Sequence, residues 1–411
     1  MGALSNNFGR VQKVTFLGNT DNVNFGWFAY DSTDGHPKKC YPILNHACHT
    51  CPHAVEFPIL SSYLTEEAMR DLSGQITADG WIIVERVLFP PDHTGGYFSD
   101  CYYVERDGAK AFLKVLDITN FSDLNGLLAG LSGFAYETSL VQHTTNVGLS
   151  RVVRLLESGE IEVDPKNPVA VLRRLPYLVF ERGEGDIRST VDVSLSVSNS
   201  WRFRVLHRAA AGLLQLHQAN IAHQDLKPSN VIKVAKDDLK ITDLGRSSMR
   251  GSVAPHDALP VAGALTYAPF ELTYSYMLPD WTKRRLATDV FHLGCLIVFV
   301  FTNVVLPSQV FARLELAYRP ESWGDAYDGV IPHIKAALSK VVEEVAIDFP
   351  APFRQELTSM VLDMCHPNPE QRGVAGGKRG NVGTTLWLQK YVSHFDRLEK
   401  KSTALGKAGH A

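Results

Sequence analysis

The chain has 411 residues, 45% of them hydrophobic, which is enough for one large two-lobed domain or two ordinary ones with a substantial core. Its 44 acidic residues nearly balance its 41 basic ones, so bulk nucleic-acid binding is not expected and only a local basic patch would serve that role. Six cysteines are too few for a secreted disulfide scaffold at this length, and Met1 to Arg10 has no basic stretch followed by an apolar one; a cytoplasmic setting without a signal peptide is expected.

In chain order, residues 11 to 35 alternate in places (Val11, Val14, Phe16, then Phe25, Trp27, Phe28, Tyr30), which predicts short strands and turns. A patch rich in cysteine and histidine follows at 40 to 53, and then a predicted helix near Thr65 to Leu72. From Gly80 the pattern becomes strand, turn, strand: Trp81 to Leu88, Thr94-Gly95-Gly96, Cys101 to Val104, Ala111 to Leu116. Leu124 to Val141 has helical spacing, and further strands end at Tyr177 to Phe180. Beyond Gly185 the chain turns helical, with Val205, Ala209, Leu213 and Leu216 on one face of a helix over Trp201 to Gln218. The apolar run Val290 to Phe301 is interrupted by His292 and is shorter than the ~20 residues of a membrane span, so it reads as a buried core helix. A β-rich part followed by an α-rich part predicts two lobes with a cleft between them, in the α+β class.

The chemistry concentrates in His223-Gln224-Asp225-Leu226-Lys227-Pro228-Ser229-Asn230, the apolar Val231-Ile232, and Ile241-Thr242-Asp243-Leu244-Gly245. Phosphoryl transfer needs charge neutralisation and alignment: one carboxylate to take the proton of the attacking hydroxyl, and a second carboxylate plus an amide oxygen for magnesium. Asp225, Asp243 and Asn230 supply these groups on two loops separated by a short hairpin. Here the sequence resembles the catalytic and magnesium-binding loops of protein kinases. The resemblance implies a bilobal fold, ATP and Mg2+ as cofactors, Asp225 as catalytic base, Asn230 and Asp243 as magnesium ligands, and Lys227 as a cation near the transferring phosphate.

The resemblance covers roughly residues 78 to 395. Lys114, in Ala111-Phe112-Leu113-Lys114, is similar to the strand lysine that grips the phosphates, with Glu137 as its partner on the next helix. Leu178 to Gly183 resembles the hinge, so Glu181, Gly183 and Asp186 are assigned with Ile232 to the nucleotide site. Tyr267-Ala268-Pro269-Phe270-Glu271, Asp289 to Gly294, and the pairing of Arg372 with Glu271 resemble structural elements of the large lobe. Small-molecule kinases generally lack these later elements and Lys227, and Lys227 favours serine or threonine over tyrosine.

Four positions depart from the family pattern. His93 to Ser99 keeps glycines only at Gly95 and Gly96, where a glycine-rich loop would approach phosphate. Phe112 stands where the family has alanine against adenine, Gln224 replaces the arginine before the catalytic aspartate, and Ala264 replaces a threonine that touches the catalytic loop. The leading expectation is an ATP- and magnesium-dependent serine/threonine protein kinase. Two other readings stay open: a pseudokinase acting as a nucleotide-sensing or scaffolding module, and a small-molecule kinase.

The expected division is an N-terminal accessory module at 1–76, a small lobe and hinge at 77–183, a large lobe at 184–397 and a tail at 398–411. In the accessory module, Cys40, Cys48 and Cys51 with one histidine, His53 or His46, would meet the tetrahedral demand of Zn2+. Buried thiols with surface histidines are the competing reading. The expected partners are a protein substrate and a regulator acting through this module, with no membrane and no direct nucleic-acid contact.

Overall fold

The computed structural model describes residues 71–88, 99–118, 121, 123–162, 172–193, 197–234, 238–373 and 386–408. The strands expected between 11 and 35, the cysteine and histidine patch and the Gly95-Gly96 turn lie outside these residues. So does most of the helix expected near Thr65 to Leu72; its last two positions, Asp71 and Leu72, are not helical.

Strands β1 (Ile82–Arg86), β2 (Ser99–Arg106) and β3 (Ala109–Leu116) lead into helix α1 (Leu124–Asn146), and β4 (Leu155–Glu162) and β5 (Arg174–Glu181) follow. All five strands join one antiparallel sheet in the order β1-β2-β3-β5-β4. Alternation along β3 sorts its two faces: Ala111, Leu113 and Val115 are fully buried, while Phe112 and Lys114 share the other, half-buried face. Asp123 starts α1 by accepting a hydrogen bond from Gly126 N at 2.7 Å.

After β5 come β6 (Gly185–Asp186), α2 (Ile187–Val193) and α3 (Asn199–Gln218). Then follow β7 (Ile221–Ala222), β8 (Val231–Val234), β9 (Asp238–Ile241) and β10 (Ser248–Met249). Strands β6, β8 and β9 form one small sheet and β7 with β10 another, which fixes both ends of the loop between β7 and β8. The remaining helices are α4 (Phe270–Thr273), α5 (Ala287–Thr302), α6 (Leu306–Arg313), α7 (Tyr327–Val345), α8 (Arg354–Met364) and α9 (Leu386–Ala408).

Helix α5 is the spine of the large lobe, and all of it except Thr302 is buried. It is apolar all round because other elements surround it. With the widened turn Thr282–Leu286 before it, the helix runs 21 residues, longer than the apolar run alone suggested, and 94% of its most apolar window lies inside the fold. Phe203 packs against Phe301 and Phe353, and Phe270 against Phe291, with ring centroids 4.9 to 5.3 Å apart. Helix α9 lies along α3, joined by Arg204 Nε to Glu399 at 2.9 Å and Ser200 to Thr403 at 2.7 Å. It passes unbroken through residue 397, where the sequence suggested a tail, because Leu398 and Ser402 are still buried.

Candidate active site

The loop between β7 and β8 is held from below by Asp289, at the start of α5. Its carboxylate accepts from His223 N at 2.8 Å, from Gln224 N at 2.7 Å and from His217 Nε2 at 2.8 Å. Burial would raise the pKa of this carboxyl, but hydrogen bonding and charge from His217 hold it below the usual range. These bonds keep Gln224 at φ 62°, a left-handed conformation that costs about 1–3 kcal/mol for a residue with a side chain.

Asp225 follows directly and is clamped on both oxygens. Oδ1 accepts from Ala264 N at 2.8 Å; Oδ2 accepts from Lys227 Nζ at 2.9 Å and from Asn230 Nδ2 at 3.3 Å. Asn230 Nδ2 also donates to Asp225 O at 2.8 Å, and its Oδ1 accepts a long bond from Ser229 Oγ at 3.4 Å; that oxygen is the side-chain donor a cation would use. The two loops are tied to each other by Thr242 N to Asn230 O and by His223 Nε2 to Thr242 O, both 3.0 Å.

Lys114 reaches from β3 to Glu137 on α1 at 2.7 and 2.9 Å, and stands 3.5 Å from Asp243 Oδ1. Burial opposes the charge on Lys114, but the two carboxylates hold its pKa above the ordinary value. Burial likewise works against ionisation of Asp243, yet Lys114 and Lys227 bring its pKa down to about 2. The Asp243 side chain is 32% exposed and therefore accessible. Asp243 and Asn230 offer the hard oxygen donors that magnesium prefers, and phosphate oxygens of a nucleotide would be needed to complete its shell. Among the described residues no group of three or more His, Cys, Asp or Glu side chains is arranged to hold a metal.

At the hinge, Gly183 lies so close to Ile232 that a Cβ would come within 2.8 Å of its Cδ1. Arg182 lies over the Tyr103 ring at 4.0 Å, and Tyr103 meets Phe112 edge-on at 6.4 Å. Phe112 is opposite Phe180 in the β3–β5 register and on the Lys114 face of β3. Two assigned residues have other engagements: the Glu181 carboxylate accepts from Lys240 at 2.5 Å and from Arg154 N at 2.7 Å, and Asp186 pairs with Arg188 at 2.8 Å. The Glu181 N–H is engaged as well, donating to Arg154 O at 3.0 Å. Gly95, Gly96, Cys40, Cys48, Cys51 and His53 lie outside the described residues.

The structure brings Lys114, Glu137 and Asp243 together, and Asp225, Lys227 and Asn230 beside them. It also adds residues that motif reading missed. Gly263 leaves no room for a Cβ, which would sit 2.5 Å from Asp225 Oδ1 and 2.6 Å from Gln224 O. Ala264, where the family pattern has a threonine, reaches the 223–230 loop through its backbone, Ala264 N donating to Asp225 Oδ1 at 2.8 Å. Arg372 and Glu271 form the buried bidentate pair expected of them.

A model of the protein kinase domain matches residues 134–376. That match begins inside α1, so Lys114 and the small-lobe sheet stand on the structure itself. Among curated proteins the chain is similar to mitogen-activated protein kinase 15 of Arabidopsis thaliana, 27% identical over 175 residues, covering 41% of this chain and 28% of the relative. It is also similar to mitogen-activated protein kinase 13 of Oryza sativa subsp. indica, 26% identical over 161 residues, covering 37% and 30%. A third relative is mitogen-activated protein kinase 8 of Arabidopsis thaliana, 27% identical over 140 residues, covering 33% and 22%. The chain spans less than a third of the length of these relatives. With a β-sheet small lobe, a helical large lobe and a family match over more than half its length, the chain belongs to the protein kinase family.

Proposed function

We propose that this chain is an ATP- and magnesium-dependent protein kinase that phosphorylates serine or threonine. The observation that carries the reading is the convergence of Asp225, Lys227 and Asn230 with the Lys114–Glu137–Asp243 cluster. Asp225 accepts the proton of the attacking hydroxyl, its Oδ1 aimed by Ala264 N and its Oδ2 paired with Lys227 Nζ at 2.9 Å. Lys114, oriented by Glu137, holds nucleotide phosphates, and Lys227 offers positive charge where the transferred group becomes more negative. Asp243 and Asn230 would hold magnesium, which when bound neutralises charge on the phosphates. Lys227 and the kinship with mitogen-activated protein kinases favour serine or threonine as the acceptor.

The test is to incubate the whole protein with labelled ATP, magnesium and histone, then to hydrolyse the product and identify the phosphoamino acid. Label on phosphoserine or phosphothreonine is expected, and Asp225→Asn should lower turnover by roughly 10²–10⁴-fold while ATP still binds. Near-normal turnover in that variant would remove the assignment of the base.

A pseudokinase is the second reading, favoured by Phe112 on the Lys114 face of the cleft beside Phe180. Phe112→Ala separates the two. If the ring stacks on adenine, its loss weakens ATP binding; if it fills the adenine position, its loss strengthens binding.

A further inference from the structure

Gln224 takes the place of the arginine that precedes the catalytic aspartate, yet a guanidinium stands against it. Arg285, from the widened turn before α5, donates through Nη1 to Gln224 Oε1. Through Nη2 it donates to Asp257 Oδ1 at 2.7 Å and to Asp257 O at 3.0 Å. Its side chain is 4% exposed, so a charge is buried between the catalytic loop and the segment leading from Asp243 to Glu271. Burial and the neighbouring Arg284 lower its pKa to about 10, and Asp257 is the carboxylate that offsets the buried charge.

Asp257 is itself held in place, because its Oδ2 accepts from Ala254 N at 2.8 Å. Arg284 adds hydrogen bonds to Asp257 O at 3.2 Å and Leu259 O at 3.0 Å. Beside Asp257, His256 meets Ser247 O at 3.1 Å and packs edge-on against Tyr136. The Tyr136 hydroxyl in turn accepts from Met249 N at 3.1 Å. Tyr136 precedes Glu137 on α1, so the segment is connected at one end to the catalytic loop and at the other to the helix that orients Lys114. Of the three serines early in this segment, Ser247 and Ser248 are fully buried, and they bond to His223 O and Trp281 Nε1; Ser252 is exposed.

We propose that Arg285 and Asp257 are positioning residues: their permanent ion pair, shared with Gln224, locks the segment against the catalytic loop and does so without phosphorylation. A negative charge is built into the chain as Asp257, and its cation comes from the turn before α5 instead of from the catalytic loop. The inference rests on the kinase reading above, but the lock itself is a conformational property that can be measured apart from catalysis.

The whole protein is treated with phosphatase, shown by intact mass to carry no phosphate, and compared with Ser252→Ala, Asp257→Asn, Asp257→Glu and Arg285→Lys. Two readouts are taken: kinetics with histone and ATP, and the rate of subtilisin cleavage between residues 246 and 264, mapped by mass spectrometry. Dephosphorylated wild type and Ser252→Ala should keep full activity and a protected segment. Asp257→Asn should raise cleavage there roughly tenfold or more and lower kcat/KM for histone by a similar factor, with KM for ATP within about twofold. Asp257→Glu should recover most of both losses, which a general packing defect would not allow. Arg285→Lys keeps the charge without the fork and should move both readouts in the direction of Asp257→Asn, by less. A segment in Asp257→Asn as protected as in wild type, or a wild-type segment cleaved freely until phosphorylated, would overturn the proposal. Were no variant and no form of the wild type to turn over, cleavage alone would decide the lock, and the failure would belong to the kinase reading.

Discussion

Glu271→Ala is the perturbation whose cost the structure defines most closely. Glu271 and Arg372 are 2% and 0% exposed, and the guanidinium meets both carboxylate oxygens, Nη1 to Oε1 at 2.7 Å. Arg372 also donates from Nε to His366 O at 2.8 Å and lies 4.9 Å over the Phe291 ring. Its other contacts therefore hold the charge in place once the carboxylate is gone, and water has no easy route to it. Removing one partner of such a pair costs about 3–5 kcal/mol, because the remaining ion is buried without compensation. For a domain of about 300 residues, with an unfolding entropy near 0.6 kcal/mol/K, that is a fall in Tm of roughly 5–8 °C. Replacing both residues, as Glu271→Leu with Arg372→Met, should return stability to within about 1 kcal/mol of wild type, since neither charge is then buried. Urea and thermal unfolding at pH 7 measure both. A single variant within about 1 kcal/mol of wild type, or a double variant no better than the single, would refute the reasoning.

Gly263→Ala should lower turnover by roughly tenfold or more and also lower Tm, because the added methyl would displace Asp225 Oδ1 and the backbone carbonyl of Gln224; normal turnover would show that the loop yields without consequence. His292 is 3% exposed, and burial lowers its pKa to about 4 against about 6.5 in the unfolded chain. The unfolded state then binds the extra proton first, so this group's stabilising effect is complete above pH 6.5 and falls as pH drops toward 4. His292→Leu should flatten the stability profile by about 2 kcal/mol between pH 6.5 and 5, and parallel profiles would assign the slope to other groups. Gly183→Ala should weaken ATP binding severalfold and spare the fold, since the new Cβ would come closer than 3 Å only to the far end of the Ile232 side chain, its other neighbours lying at 3.5 Å or more; calorimetric titration with the nucleotide reads it.

What could be read in the sequence was what lies close together along it. Asp225, Lys227 and Asn230 fall within one short loop, and Asp243 follows after a single hairpin, so the resemblance to protein kinases that implied their roles could be seen in a short stretch of sequence. The strands from 81, the helix from Leu124, the helix over 201 to 218 and the buried helix from Val290 were visible through their patterns, although α1 extends to Asn146; the rest of the large lobe read only as mainly helical, and α9 runs through residue 397. The Arg285 contacts were not visible: Gln224 and Asp257 lie 61 and 28 residues away, and an arginine in a polar stretch reads as a solvated charge. Gly263 was equally hidden, because its requirement arises from a carboxylate 38 residues upstream. The engagements of Glu181 and Asp186 with Lys240 and Arg188 likewise depend on side-chain geometry that a motif does not encode.

The pairing of α9 with α3 bears on where this polypeptide can be cut. A fragment chosen by the limits of the family match, 134–376, would begin partway along α1, after β3 and its Lys114, and would end before α9. At the far end it would strip Tyr391, Phe395 and Leu398 from the fold and leave Arg204 and His207 without Glu399. The uncovered helix is the one whose last turn carries His217, the residue that steadies Asp289 under the catalytic loop. A premature stop between 373 and 386 would thus be expected to yield an insoluble or inactive product although every proposed catalytic side chain is still encoded. A fusion partner belongs after Ala408, where the helix ends, and not at the border that sequence similarity draws.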